Sequence, residues 1–358
     1  MGSRASASFR ALSQLYRHVE ANIALLSRCR PCNALQEQQQ LESDWRRGQR
    51  RLPRWSYRPV PDFAALSRAI EAATEQLEVE GTLARLYAAR GQELLAELKL
   101  VQALDAPAFP ELARQRYGVF AERWQRAADR LAEDWARKPP SAANAPLIAS
   151  DAVDDARSLY RTMGATVGRL RIPVRVRLSD DLEATAATGD GVIVVRRGRA
   201  LTLDETQRIV VHEVYGHALP RVRAESERNG LFASASAGGN DQQEGYALHL
   251  ERAAGLLDER RRFELAVRHW AARSLERGAD WVETTEQCLG LGARLEQAVA
   301  IASRVHRGGG LGRERIYLPA LCRVEAAMRE QPRLEAWLAR GRLSVEAIFA
   351  LGLCSGTP

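Results

Sequence analysis

Lysine is almost missing from this sequence. Only Lys99 and Lys138 occur among 52 basic residues, so the net charge of +7 is carried by arginine. That charge is spread along the whole chain and reflects composition more than a nucleic-acid surface. Arg46-Arg47 and Arg50-Arg51 have Trp45 and Trp55 nearby but no repeated aromatic platform for base stacking, and Arg260-Arg261-Arg262 has only Phe263 beside it. No nucleic-acid partner is expected. Long apolar runs are lacking too. None approaches the roughly 20 residues of a membrane span, and Arg4, Arg10 and Arg17 interrupt the apolar pieces that a secretory signal would need to keep together. The expectation is a cytoplasmic protein with no membrane partner. Cysteine is scarce and odd in number, at five, which excludes a disulfide framework. The one close pair, Cys29 and Cys32, has no second pair and no βαβ pattern around it, so it is not read as a redox or zinc site. Cys288, Cys322 and Cys354 sit in apolar helical contexts and read as small core residues.

What is present is enough for a large core, with 46% hydrophobic residues in 358. Helical spacing runs from residue 6 to about 40 through Leu12, Leu15, Tyr16, Val19, Ile23 and Leu26, with Pro31 interrupting it. Residues 51–61 hold three prolines around Trp55 and Tyr57 and read as an extended connector lying against the body of the protein. Helices are expected over 66–77, 83–104 and 109–135, with a break marked by Pro107 and Pro110. Lys138 to Pro146 is the best linker. The division drawn from it is a helical N-terminal region, 1–140, and a catalytic domain, 141–358, closely packed.

The period then changes. Residues 172–178 alternate apolar and charged side chains, and 191–195 are apolar, so two strands are expected, with turn chemistry at Thr188-Gly189-Asp190-Gly191. Thr202 and Glu205 form a capping box that starts a helix running through Ile209, Val210 and Val211. From Gln243 the pattern is helical almost to the end. The fold class is therefore α+β, mostly helical, with a small β-sheet.

That helix leads into His212-Glu213-Val214-Tyr215-Gly216-His217. Two imidazoles on one helix with a glutamate after the first are the usual pattern of a hydrolytic zinc site, the glutamate serving as general base. The spacing is off register. Histidines five apart stand about 140° from each other on an ideal α-helix, so a bulge or helix end is expected near Tyr215-Gly216, with Gly216 easing the distortion. A zinc hydrolase needs a third protein ligand. Glu244, at the start of a helix with Ala247 three positions on, is the first choice, because the small residue lets its helix approach the histidine helix closely; Asp241, His249 and Glu251 are rivals.

Gly230-Leu231-Phe232-Ala233, a loop of small residues and Gln243-Glu244-Gly245-Tyr246-Ala247 resemble the hallmark of the flavohaemoglobin expression-modulating QEGLA-motif family. That family is related to the microtubule-associated tyrosine carboxypeptidases, zinc metallopeptidases with an HExxxH motif. Weaker likenesses lie at residues 53–59, 83–118, 307–309 and 315–318, so the resemblance spans roughly 9–351. It implies a gluzincin-like zinc metallopeptidase core, one zinc held by His212, His217 and Glu244, and Glu213 as catalytic acid/base. Tyr215-Gly216 and Tyr246 depart from the family's pattern and place aromatics beside the site. Microtubule association is not carried over.

The expected activity is a metallocarboxypeptidase acting on the C-terminal, possibly aromatic, residue of a peptide or protein. Arg307, beside glycines that permit close backbone approach, is the first choice for the substrate carboxylate, because a guanidinium matches a carboxylate bidentately; Arg304, Arg313 and Arg315 are alternatives. Tyr317 is the expected oxyanion donor, and Tyr246 a substrate-binding residue. The rival readings are a non-catalytic regulatory protein with a structural or vestigial zinc site, and a hydrolase of a dedicated peptide or amide metabolite.

Overall fold

The computed structural model describes residues 3–75, 77, 81–118, 120–140 and 145–355. Part of the expected linker, 141–144, lies outside them. The described chain is α+β and mostly helical. It divides into two compact units, one made from Met1–Pro140 and Glu259–Pro319, the other from Ser141–Asp258 and Ala320–Pro358.

The first unit is helical. The long N-terminal helix runs Ser3–Ile23 and stops at Ala24, whose φ of 42° is left-handed; Leu25–Arg28 and Ala34–Arg46 follow. The expected helix over 109–135 is two helices, Phe109–Tyr117 and Glu122–Ala136. Between them Gly118 caps the first, and a Cβ there would stand 2.5 Å from the Arg114 carbonyl oxygen. The proline-rich connector lies against its unit as expected. Trp55 packs on the cluster of Leu41, Trp45, Trp281, Val299 and Ala302, and the Tyr57 hydroxyl accepts from Gly308 N at 2.7 Å. Cys29 and Cys288 are buried thiols, both pushed up to about 12 by burial. Cys32 is exposed, and neither it nor Cys29 is in a disulfide.

The second unit holds the sheets. β1 (Ile148–Ala149) pairs with β5 (Ala200–Leu201), and β2 (Arg175–Ser179), β3 (Ala186–Gly189) and β4 (Val192–Arg196) form a sheet ordered β2-β4-β3. β2 runs parallel to β4 and β3 antiparallel. The sequence expectation missed β3. Thr188 and Gly189, taken as part of a turn, end this strand and pair with Ile193 and Val192, so the turn shrinks to Asp190-Gly191. Alternate residues Ile193 and Val195 are fully buried against Leu159, Met163, Val210 and Val214. The Thr202–Glu205 capping box forms as expected, starting the helix Leu203–Val210. The sheet's inner face therefore carries the segment that contains both histidines.

Candidate metal centre

From Val211 to Ala218 the backbone is a π-helix. Its hydrogen bonds join i to i+5, so at about 4.4 residues per turn residues five apart lie within about 50° of each other. The distortion expected from the awkward histidine spacing is thus this widened turn, and the His212 and His217 Nε2 atoms stand 3.2 Å apart.

Gly216 has a different role from the one expected. It does not adopt a positive φ. A Cβ on it would instead stand 2.5 Å from Ala247 Cβ and 3.0 Å from Ala247 Cα, so it marks the closest approach of the π-helix to the helix Gly239–Ala253. The pairing with Ala247 is the close contact that the small residue suggested. Gly245, elsewhere on the same helix, meets the Ala320 backbone, where a Cβ would stand 2.4 Å from the carbonyl carbon.

This approach delivers Glu244. Its Oε2 lies 3.4 Å from His212 Nε2 and 3.6 Å from His217 Nε2. The three side chains form a group able to hold a metal ion, each offering one donor atom. Behind them stand partners that set the imidazole tautomers. The Glu251 carboxylate, fully buried, accepts from His212 Nδ1 at 2.7 Å, and the Gln243 amide oxygen faces His217 Nδ1 at 3.3 Å. With a proton on each Nδ1, both Nε2 lone pairs point at the common centre. Burial disfavours a charged His212, but hydrogen bonds to Glu244 and Glu251, together with the charge of Glu251, outweigh it and raise its pKa to about 10. A metal ion bound there would have to displace that proton, because only a deprotonated Nε2 can be a ligand.

Glu213 is buried and linked to the sheet, with Thr188 Oγ1 2.7 Å from its Oε2 and 3.0 Å from its carbonyl oxygen. Of the rival third ligands, Glu251 is the partner of His212 Nδ1, and His249 Nδ1 faces Glu325 at 3.4 Å. Tyr246, two residues from Glu244, lies about 200° around the helix from it. It is buried, with its phenol pushed up to about 12 first by burial and then by the charge of Glu335.

Arg307, Arg315 and Tyr317 belong to the first unit. Arg307 is buried beside Glu314, whose carboxyl stays low because Arg304, Arg307 and Arg268 outweigh the opposing effect of its burial. The Tyr317 oxygen accepts from Arg313 at 3.0 Å and Arg304 at 3.3 Å. Arg315 is ion-paired with Glu276, and its pKa falls to about 10 through burial and then the charges of Arg273 and Arg114. His306 Nε2 and Thr284 Oγ1 are hydrogen-bonded at 2.8 Å. The sequence reading missed Thr188 and Gln243. A hydroxyl in a strand facing the histidine helix was their only available signal for the first; for the second it was the position next to Glu244.

Fold and site together define a mostly helical α+β protein with a His-His-Glu group on a π-helix and its neighbour, able to hold a metal ion. The family of microtubule-associated tyrosine carboxypeptidases matches residues 44–354, and the chain belongs to that family. No curated protein matches the chain. Among solved structures, one titled "BsuCP Crystal Structure" is similar at 12% identity with a TM-score of 0.42, covering 97% of this chain and 90% of that one. A likeness of that degree carries no functional argument. Among the described residues no helix is long and apolar enough to cross a membrane.

Proposed function

We propose that this chain is a zinc-dependent metallocarboxypeptidase with a gluzincin-like core, releasing the C-terminal residue of a peptide or protein. The side chain released is aromatic, tyrosine being the residue in the family's name. The observation that carries this reading is the donor spacing. Ligands on a tetrahedral zinc, at bonds of about 2.0–2.1 Å, stand about 3.3–3.4 Å from one another; the three donor separations here are 3.2, 3.4 and 3.6 Å. Two imidazoles and one carboxylate also suit zinc better than calcium or magnesium, which prefer oxygen.

When bound, the metal supplies a Lewis acid that polarises the scissile carbonyl and makes nearby water more acidic. Glu213 then accepts the proton of the attacking water and hands it to the departing amine. Glu251 and Gln243 keep both histidine rings turned to the centre. Arg307 is assigned to the substrate carboxylate, which a guanidinium matches bidentately. Tyr317 is assigned to the developing oxyanion, since guanidiniums bonded to its oxygen make it a stronger donor.

Purified protein is expected to carry about one zinc per chain. Glu213→Gln keeps that zinc and loses peptide cleavage by about 100-fold or more. Zinc-free wild-type protein, or an active Glu213→Gln variant, defeats the reading. A zinc-loaded protein inert toward peptides with every C-terminal residue supports a non-catalytic role instead.

A further inference from the structure

We propose that Thr188 is the positioning residue of Glu213, holding the carboxylate that serves as general base in the conformation the reaction needs. This rests on the role given to Glu213 above.

The two histidines of the centre are held by residues of the neighbouring helix. His212 is held by Glu251 and His217 by Gln243, both from the helix Gly239–Ala253, which also supplies Glu244 itself. Glu213 is different. On the widened turn it is rotated by about 80° from His212, off the line on which the two histidines stack. Its described anchor comes from the sheet, where Thr188 Oγ1 reaches Oε2 at 2.7 Å and the Glu213 carbonyl oxygen at 3.0 Å. The single hydroxyl proton is shared between these two acceptors, the shorter contact being to the carboxylate, which favours the rotamer that keeps the side-chain end near its own carbonyl.

The hydroxyl is itself placed rigidly. Threonine is β-branched and restricted at χ1 in a strand. Thr188 pairs with Ile193, so its side chain shares the inner face of the sheet with that fully buried residue. The hairpin is fastened to the histidine segment at a second point, where Arg221 Nη1, in the helix following the π-helix, donates to Asp190 Oδ1 at 3.0 Å. The position of Thr188 is set by the pairing of its strand with β4, with the exposed Arg221–Asp190 contact beside it adding little.

The test compares Thr188→Val, which keeps the shape and removes the hydroxyl, with Thr188→Ser, which restores it. Zinc-loaded variants are assayed for release of tyrosine from a synthetic peptide ending in tyrosine. Thr188→Val is expected to lower kcat about 10- to 100-fold with KM within about two-fold, zinc content and melting temperature unchanged, and Thr188→Ser to recover most of the loss. The second readout needs no turnover: in a crystal structure of zinc-loaded Thr188→Val, the Glu213 carboxylate is expected to be displaced or in two conformers. An unmoved carboxylate, a wild-type kcat, or a loss caused by zinc release overturns the proposal. If Thr188→Val does not fold, Thr188→Ala takes its place in both readouts. An active Glu213→Gln enzyme would remove the underlying reading; an inactive one beside a fully active Thr188→Val would remove only this inference.

Discussion

Gly216→Ala tests the geometry of the centre without touching a donor atom. The new Cβ would stand 2.5 Å from Ala247 Cβ, where carbon atoms normally rest about 3.5–4.0 Å apart. Neither partner is the end of a flexible side chain, so the two helices must separate by about 1 Å or more. Ala247 and Glu244 share a helix, so the separation draws Glu244 away from the two histidines, whose Nε2 atoms lie 3.4 and 3.6 Å from its Oε2. Ligand distances tolerate only about 0.2 Å. The overpacking itself costs about 1–3 kcal/mol. Zinc affinity, read by competition with a chromophoric chelator, should fall at least about ten-fold, and the metal-free protein should melt at a lower temperature. Ala247→Gly on top of Gly216→Ala removes the clashing Cβ and leaves the Ala247 Cα position, 3.0 Å from the added methyl, as the nearest atom. About half of the lost affinity should return, a coupling visible in a double-mutant cycle. Wild-type affinity and melting temperature in Gly216→Ala, or no recovery in the double variant, would refute the reasoning.

Two further expectations concern the protons of the centre. Glu251→Gln removes the anion behind His212 and should weaken zinc binding about 10- to 100-fold, measured by the same competition; unchanged affinity would show that Glu251 does not orient His212. In metal-free protein the His212 pKa is about 10, above its unfolded value of about 6.5. A raised folded-state pKa stabilises fully below about 6.5, and that contribution is lost as pH rises through about 10. Urea midpoints of the metal-free protein should therefore fall across that window, and zinc loading at pH 8 should release a proton from His212, detectable by calorimetry in buffers of different ionisation enthalpy. A flat profile and no proton release would contradict the raised pKa.

The readable parts of the fold were those coded locally. Helical periodicity placed Ala64–Glu75 and Thr82–Gln102 to within a few residues, and Thr202 with Glu205 marked a helix start because a capping box needs only four consecutive residues. β3 escaped notice because Ala186-Ala187-Thr188-Gly189 has neither alternation nor β-branched runs; it is a strand through its pairing with β4.

By itself the sequence determined the chemistry of the centre: which side chains carry donor atoms, that two of them sit five apart on a helix, and that a regular α-helix would not bring them together. It did so because residue identity and spacing along one helix are local quantities. The tertiary structure decided the rest. It widened the turn, brought Ala247 onto Gly216 so that Glu244 reaches both histidines, and placed Glu251, Gln243 and Thr188 against His212, His217 and Glu213. Those positions depend on how a sheet and two helices pack, and packing distances of a few ångströms are not written in any one segment of the chain.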